Sequence, residues 1–195
     1  MRFPTEKTAK QKLWKLLQSL PKVASGAECF FVPLSETVGA KVYDSKRGRD
    51  FAFTMQKAFA TIDMGPKVAS YRFSFQLNDE TFENINNHIG ISNNKLYAYI
   101  TEIVEVKHRV GRRIPLHWHC KTMRRDCHIE WQLEDIGLDY CDILVDLHDE
   151  NIGFKNGKYI MIDFGECSFH SVGTIVSSLR KKICKISRSK RQLAK

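Results

Sequence analysis

The sequence of 195 residues is poor in residues that interrupt packed structure and has no segment built to cross a membrane. Proline occurs only 5 times, whereas Phe, Tyr and Trp occur 12, 6 and 3 times, a composition able to bury a hydrophobic core. No apolar run approaches the roughly 18 residues that a bilayer-spanning helix needs. The N-terminal stretch has scattered lysines in place of a continuous apolar run, so it does not resemble a secretory signal. We therefore expect a folded intracellular chain without a transmembrane segment.

The sequence also lacks a convincing disulfide framework. Its six cysteines are Cys29, Cys120, Cys127, Cys141, Cys167 and Cys184. Their even number allows three disulfides, but the spacing is loose and a chain of this length can fold without covalent staples. We expect reduced thiols in a reducing compartment.

Acidic residues are absent from the last part of the chain. Residues 171–195 hold eight Lys or Arg and no acid, and residues 1–22 hold six Lys or Arg and one acid. The middle, 23–170, holds 17 basic and 21 acidic residues, so the net charge of +9 belongs to the two ends. This distribution argues against a nucleic-acid-binding core. The ends are able to meet an acidic partner, a membrane surface or RNA.

The hydrophobic pattern predicts strands and helices in separate stretches, which favours an α+β fold. Predicted strands cover 29–34, 38–43 and 96–106, with an interrupted strand pair within 67–77. Predicted helices cover 8–20, 50–62 (ended by Gly65-Pro66), 126–138 and 171–186, whereas 78–94 is predicted as a loop with a short helical piece. The Asn156-Gly157 pair indicates a hairpin turn, with apolar arms at 143–145 and 159–162.

The predicted first helix is amphipathic and basic. Leu13, Leu16, Leu17 and Leu20 recur at helical spacing, with lysines on the other side, and Pro21 follows. A basic amphipathic helix is able to lie on a membrane surface. Packing of the leucine face against the rest of the domain is the reading we favour.

The densest set of chemically useful side chains lies in 145–166, which reads VDLHDENIGFKNGKYIMIDFGE. Asp146 and Asn151 lie five positions apart in a polar stretch, and Asp163 follows a predicted strand. A hairpin through the Asn-Gly pair would bring Asn151 and Asp163 side by side. Their amide oxygen and carboxylate are suitable ligands for Mg²⁺, which prefers oxygen and keeps several waters. Asp146 would lie at the mouth of the same pocket, placed to accept a proton.

This spacing resembles the catalytic set of the protein-kinase-like superfamily, D-L-x-x-x-N followed by D-F-G. The resemblance implies that Asp146 orients the accepting hydroxyl and acts as the base. It also implies that Asn151 and Asp163 hold Mg²⁺ on the phosphates of ATP. The Asp-Leu-His form of the loop is similar to that of small-molecule and lipopolysaccharide kinases in the same superfamily, and His148 offers a second base, although packing within the loop is favoured for it.

The resemblance is more diffuse in the first half of the chain. Lys41, in Gly-Ala-Lys-Val-Tyr, resembles the strand lysine that neutralises the α- and β-phosphates, the alternative being a solvent-exposed strand lysine. Gly26, between Ser and Ala, is the candidate for bringing backbone N–H groups to the phosphates. Glu102 lies within 99–105, which resembles the hinge whose backbone groups hydrogen-bond adenine.

The sequence departs from the kinase pattern in three ways. Residues 45–62 contain no Glu to pair with Lys41, so Asp50 or Gln56 would have to substitute or the pair is missing. Leu144 and Val145 stand where His and Arg usually precede the catalytic Asp. Only 30 residues follow Gly165, which leaves no room for the usual peptide-binding part of the large lobe.

The resemblance implies a two-lobed kinase-like fold with a shortened helical second lobe. We expect a basic N-terminal helix (1–22), a β-rich lobe (23–105), a reduced helical lobe with the catalytic loop (106–185) and a basic tail (186–195). The implied activity is Mg²⁺-dependent transfer of the γ-phosphoryl group of ATP to Ser or Thr of a protein substrate. Small size suggests a minimal kinase of a virus or a bacterial effector, acting in the cytoplasm, including that of a host cell.

Other functions stay open on the sequence alone. A pseudokinase would keep the fold and bind a partner, an option favoured by the missing Glu and the single glycine. A small-molecule kinase would explain the missing peptide platform, and an activating or docking protein would also supply substrate recognition. RNA binding rests only on the basic ends. His117, His119, Cys120, Cys127 and His128 fit no standard zinc spacing, so ordinary packing is preferred for them.

Overall fold

The computed structural model of the chain describes residues 1–19, 24–25, 29–106, 151–164, 181 and 185. Within them, the helices are α1 (Glu6–Gln18), α2 (Lys46–Ala60) and α3 (Asp79–Ile89). The strands are β1 (Ala24–Ser25), β2 (Cys29–Pro33), β3 (Val38–Tyr43), β4 (Val68–Gln76), β5 (Lys95–Glu102), β6 (Glu105–Val106), β7 (Ile152–Lys155) and β8 (Lys158–Met161). Two antiparallel sheets and three helices make this part of the chain α+β, as predicted.

The chain divides into two units. Unit 1 comprises residues 1–53 and 67–103, and unit 2 comprises residues 54–66 and 104–195. The residues of α2 are therefore divided between the units, with 46–53 in unit 1 and 54–60 in unit 2. Nowhere in the described residues is a helix both long and apolar enough to cross a membrane.

Unit 1 is built on a five-stranded antiparallel sheet in the order β1-β2-β3-β5-β4. Alternate residues of β3 and β5 point to the same face, so Val38, Ala40, Val42 and their neighbours on β5 form one apolar surface. Helices α1 and α3 contribute Leu13 and Ile85 to the same core. These two helices therefore cover one face of the sheet, and β3 is buried on both of its faces.

Helix α1 confirms the packing interpretation of the N-terminal segment. Thr5 caps its start by accepting from the Thr8 amide, so it begins two residues earlier than predicted. Leu13 and Leu17 are buried in the core of unit 1, and Trp14 meets Phe75 edge to face. The predicted stop at Pro21 lies outside the described residues.

Helix α2 begins and ends at signals that the sequence prediction overlooked. Ser45 accepts a hydrogen bond from the Gly48 amide, so the helix begins at Lys46, before its first apolar residue. At its end, Asp63 has a left-handed φ of 61° and the Met64 amide donates to the carbonyl of Phe59. These are features of a Schellman motif. The predicted start at Asp50 was wrong, and the helix ends before Gly65-Pro66.

Two predictions for the following segment were also wrong. The expected strand pair within 67–77 is one nine-residue strand, β4, whose register with β5 shifts between Val68 and Arg72. The expected loop at 78–94 is mostly α3. Asn78 caps this helix by accepting from the Thr81 amide, and Gly90 ends it with a φ of 74°. The polar residues that indicated a loop thus include the caps of a helix.

Unit 2 contains a three-stranded antiparallel sheet in the order β6-β7-β8. Asn156 and Gly157 have φ values of 51° and 78°, which are typical of a two-residue type I′ turn, so the predicted turn is confirmed. The first arm of the hairpin is Ile152–Lys155, which corrects the predicted arm at 143–145. Gly153 obscured this strand in the sequence because it hides the apolar alternation. The strand has glycine there because a Cβ would lie only 2.7 Å from Ile162 Cγ2. The predicted strand at 96–106 is likewise two strands, β5 and β6, which belong to different sheets.

Several predicted elements lie outside the described residues. They are the helix at 126–138, the irregular stretch before it, and most of the helix at 171–186. Within that last segment only Lys181 and Lys185 are described, and both are helical and exposed. Of the six cysteines, Cys29 lies in the described part, where it is a thiol and not half of a disulfide.

Candidate functional site

The hairpin of unit 2 brings Asn151 and Asp163 to the same end of its ladder. Ile152 pairs with Met161, and one step further the Ile162 amide donates to the Asn151 carbonyl at 2.9 Å. Asn151 belongs to this last rung and Asp163 is the residue after it, so the two candidate ligands are neighbours at the end of the hairpin. Both are half-buried. The adjacency expected from the Asn-Gly turn is therefore present in the backbone.

Phe164 anchors the segment that carries Asp163. Its side chain is fully buried, and its ring lies 5.3 Å from that of Phe59, near the end of α2. The Phe164 amide donates to Asp163 Oδ1 at 2.9 Å. In the same unit, the Met161 amide donates to the Met64 carbonyl, which ties β8 to the loop after α2. Asp163 thus follows a strand fixed by hydrogen bonds and precedes a side chain fixed by packing.

Lys41 lies in the middle of the sheet of unit 1, on β3. Its register partners are Phe31 on β2 and Tyr99 on β5. Only 7% of the residue is exposed, so the alternative of a solvent-exposed strand lysine is wrong. Because Ala40 and Val42 point into the apolar core, Lys41 projects from the opposite face of the sheet. A buried ammonium group attracts negative charge more strongly than an exposed one because the surrounding dielectric is lower, which makes Lys41 a candidate for binding an anion.

Phe31 is a neighbour of Lys41 that the sequence analysis missed. Its ring covers Gly39 so closely that a Cβ on Gly39 would collide with three ring atoms. Gly39 is therefore required by the approach of an aromatic ring and not by its φ angle. A glycine two positions before a strand lysine was the available signal, since glycine within a strand often marks a close approach.

Glu102 has a structural task at the end of β5. Its carboxylate oxygen Oε2 accepts from the Lys67 amide at 2.9 Å, and its own amide donates to the Lys67 carbonyl. Nearby, the Ile103 amide donates to the carbonyl of Thr37. These bonds tie β5 to the residue before β4. The carboxylate and the amide of Glu102 are thus engaged in the fold, and its carbonyl accepts from Thr101 Oγ1 at 3.3 Å.

The two candidates for replacing the helix Glu, Asp50 and Gln56, each have polar partners near α2. The Asp50 carboxylate lies 2.7 Å from Arg49 Nε and 3.4 Å from Arg72 Nη1. Gln56 is fully buried, and its side-chain amide donates to the Pro66 carbonyl at 3.3 Å. The fully buried side chain of the two is therefore an uncharged amide.

The remaining predicted site residues lie outside the part of the chain that the structure describes. These are Gly26, Asp146 and His148, together with the cluster of His and Cys within 117–128. Among the described residues, no group of three or more His, Cys, Asp or Glu side chains is placed to hold a metal ion. Asn151 and Asp163, neighbours in the backbone, would offer one amide oxygen and one carboxylate, a small ligand set that suits a cation keeping most of its own water.

No protein-family model matches the chain, and no curated protein or solved structure matches it either. The described residues offer an oxygen-ligand pair at a hairpin end and a buried lysine on a central strand. Chemically, these groups are suited to a metal-bound anion and to the neutralisation of further negative charge.

Proposed function

We propose that this chain is an ATP- and Mg²⁺-dependent phosphotransferase with a protein-kinase-like fold and a shortened second lobe. Its reaction would transfer the γ-phosphoryl group to a Ser or Thr hydroxyl of a protein. The observation that carries the proposal is the hairpin of β7 and β8, which brings Asn151 and Asp163 to one end of the ladder. The spacing of the Asn and Asp in the sequence motif indicates this juxtaposition, and so does the hydrogen bond from the Ile162 amide to the Asn151 carbonyl.

Lys41 supports the proposal from unit 1. In protein kinases the phosphate-binding lysine lies on the third strand, directly before a helix. Here Lys41 lies on β3, is buried, and is followed by α2 five residues later. A cationic side chain in that setting would neutralise negative charge on the α- and β-phosphates.

Phe164 supports it from unit 2. In the kinase motif the Phe after the metal-binding Asp packs beneath the helix, and its packing distinguishes active from inactive states. Here Phe164 is buried against Phe59 of α2. The packing of Phe164 thereby orients Asp163, just as the residues around a metal site hold the ligands of the metal in place.

The proposed mechanism uses positioning and charge neutralisation more than covalent chemistry. Asn151 and Asp163 would hold Mg²⁺ on the phosphates, and Lys41 would neutralise their remaining charge. Asp146 would accept a hydrogen bond from the substrate hydroxyl and take its proton as the oxygen attacks the γ-phosphorus. The bond from that phosphorus to the β–γ bridging oxygen breaks, and ADP leaves.

The direct test is labelled-phosphate transfer from ATP with Mg²⁺ to a generic protein substrate and to cell lysate. We expect transfer by the wild type, about 10²-fold or greater loss in Lys41→Met and Asp163→Asn, and a loss of about 10²–10⁴-fold in Asp146→Ala. Asp63→Asn makes the same chemical change at an exposed site in unit 2, and Lys67→Met does so at an exposed lysine; both should retain activity. Equal activity of Asp163→Asn and wild type would refute the metal assignment.

A pseudokinase is the second candidate, and the buried Gln56 favours it. A neutral amide lacks the charge with which the helix Glu pairs with the strand lysine in active kinases. This candidate predicts nucleotide binding or partner binding without transfer. Gln56→Glu separates the phosphotransferase from the pseudokinase. A gain of transfer in this variant would show that the wild type is a kinase of low activity. ATP binding without transfer by either protein would support the pseudokinase.

A further inference from the structure

Four cations from three elements of unit 1 lie around a single carboxylate and the aromatic ring beside it. Lys46 and Arg49 belong to the first turn of α2, Arg72 to β4 and Lys95 to β5. The carboxylate is that of Asp50. We refer to the four cations as the cationic cluster.

Arg49 is the fixed centre of the cationic cluster. Its Nε lies 2.7 Å from Asp50 Oδ1, and its Nη1 donates to the Phe73 carbonyl at 2.9 Å. Its guanidinium carbon lies 5.5 Å from the centre of the Tyr97 ring, which is within cation–π range. The side chain is only 6% exposed. A buried arginine held by three partners gives this surface a defined geometry.

The other cations of the cluster face solvent. Arg72 Nη1 lies 3.4 Å from Asp50 Oδ1 and Lys46 Nζ lies 3.8 Å from Oδ2, yet their side chains are 44% and 69% exposed. Lys95 is exposed, and its Nζ lies 5.9 Å from the centre of the same Tyr97 ring that Arg49 contacts. The cluster therefore presents accessible donors around an ordered arginine.

The charge of the cationic cluster is not balanced by the carboxylate it surrounds. Four cations share the surface with Asp50, and the first turn of α2 contains no acidic residue, although negative charge is favoured there. The cations therefore repel one another and attract anions. A phosphoryl group carries nearly two negative charges and three acceptor oxygens, so it is able to accept from several of these donors at once.

We propose that the cationic cluster is a docking site for a phosphorylated side chain of a peptide segment. Three of the four cations are exposed, whereas small-molecule sites enclose most of their ligand. A peptide compensates for an open site because its backbone and flanking residues add contact area beside Tyr97. Clusters of arginine are a recurrent means of recognising phosphorylated motifs. The cationic cluster shares no residue with those proposed for phosphotransfer, so its test does not require that activity.

The test is binding of a fluorescein-labelled peptide with one phosphoserine flanked by Gly, Ala and Ser, measured by fluorescence anisotropy with the full chain at physiological salt. We expect the phosphopeptide to bind about tenfold or more tightly than the same peptide without phosphate. Arg72→Ala and Lys95→Ala should each weaken binding by about three- to tenfold, and Lys67→Ala, which removes an exposed lysine outside the cluster, should not change it. Thermal unfolding of each variant checks that it is folded.

Asp50→Asn provides a test in the opposite direction. The carboxylate competes with the phosphate for the same cations, so its neutralisation should tighten phosphopeptide binding by about threefold or more. Equal binding of the two peptides, or no effect of Arg72→Ala and Lys95→Ala, would overturn the proposal. Displacement of the peptide by inorganic phosphate or by single-stranded RNA at lower concentrations than by unlabelled phosphopeptide would do so as well, since the site would then recognise another anion.

Discussion

Lys41 and its neighbours illustrate what single residues contribute to this protein. A lysine on a strand is expected at the surface, but here the residue is buried on a central strand with Phe31 and Tyr99 as its register partners. The sequence predicted the strand correctly. It did not predict the ring over Gly39, because that contact depends on the pairing of two strands and not on local pattern.

Gly39→Ala should destabilise unit 1 because the new methyl group would collide with the Phe31 ring. We expect a loss of about 1–3 kcal/mol in the free energy of unfolding, measured by urea denaturation. Phe31→Leu in the same chain should make the Gly39→Ala substitution less costly. Additive effects of the two substitutions would show that the ring is not the cause.

At the scale of elements, capping and turn signals decided boundaries that hydrophobic periodicity misplaced. Ser45 begins α2 before its first apolar residue, and Asn78 and Gly90 delimit a helix in a segment rich in polar residues. The Asn156-Gly157 turn was predicted correctly because both residues tolerate a positive φ. The strand before it was missed because Gly153 hides its apolar alternation.

Gly157→Ala should weaken the hairpin on which the proposed metal pair depends. Its φ of 78° is strained for alanine, whereas an added methyl group would meet no atom within 4 Å, so the cost is conformational. We expect about 1–2 kcal/mol of destabilisation and weaker Mg²⁺-dependent nucleotide binding. Gly90→Ala has the same strain at a φ of 74° in unit 1 and should leave nucleotide binding unchanged. If both variants bind nucleotide like wild type, the hairpin is not coupled to the site.

Tyr71 connects β4 to the segment before α1, and its ionisation should affect stability at high pH. Its hydroxyl donates to the Pro4 carbonyl at 2.7 Å, and burial, followed by the charge of Glu6, raises the pKa of Tyr71 above its usual value. A raised pKa in the folded state gives stability that is present below pH about 10 and is lost as the pH rises through the folded-state pKa. The free energy of unfolding should therefore fall less steeply above pH about 10 in Tyr71→Phe than in wild type.

Glu6→Gln is the control for that measurement. It removes the smaller, electrostatic cause of the raised pKa and keeps the hydrogen bond to Pro4. Its stability profile above pH about 10 should lie between those of wild type and Tyr71→Phe. Identical profiles for all three proteins would mean that Tyr71 has the same pKa in the folded and unfolded states.

At the scale of the whole molecule, the proposed function requires residues of both units. Lys41 belongs to unit 1, whereas Asn151 and Asp163 belong to unit 2. A ligand that binds only the folded chain raises the free energy of unfolding. The increase grows with the logarithm of the ligand concentration relative to the dissociation constant.

ATP with Mg²⁺ should therefore raise the thermal unfolding temperature of the wild type. At a concentration of about 100 times the dissociation constant, the stabilisation is about 2.7 kcal/mol. Lys41→Met and Asp163→Asn should each reduce the shift, and removal of Mg²⁺ with EDTA should reproduce the effect of Asp163→Asn. Lys67→Met and Asp63→Asn serve as controls that keep the full shift. An unchanged shift in both site variants would show that ATP, if bound, contacts other residues.

The sequence by itself determined the α+β class, the two strands that flank the β2–β3 turn, the amphipathic helix and the Asn-Gly hairpin, because each depends on local periodicity or turn chemistry. It also indicated Asn151 and Asp163, whose adjacency follows from a two-residue turn. Only the tertiary structure decided that α1 packs on the sheet, that Lys41 is buried, and that three cations meet at Asp50. The packing of α1, the burial of Lys41 and the approach of Arg72 to Asp50 depend on residues far apart in the chain, and strand order and helix placement determine such contacts more than local pattern does.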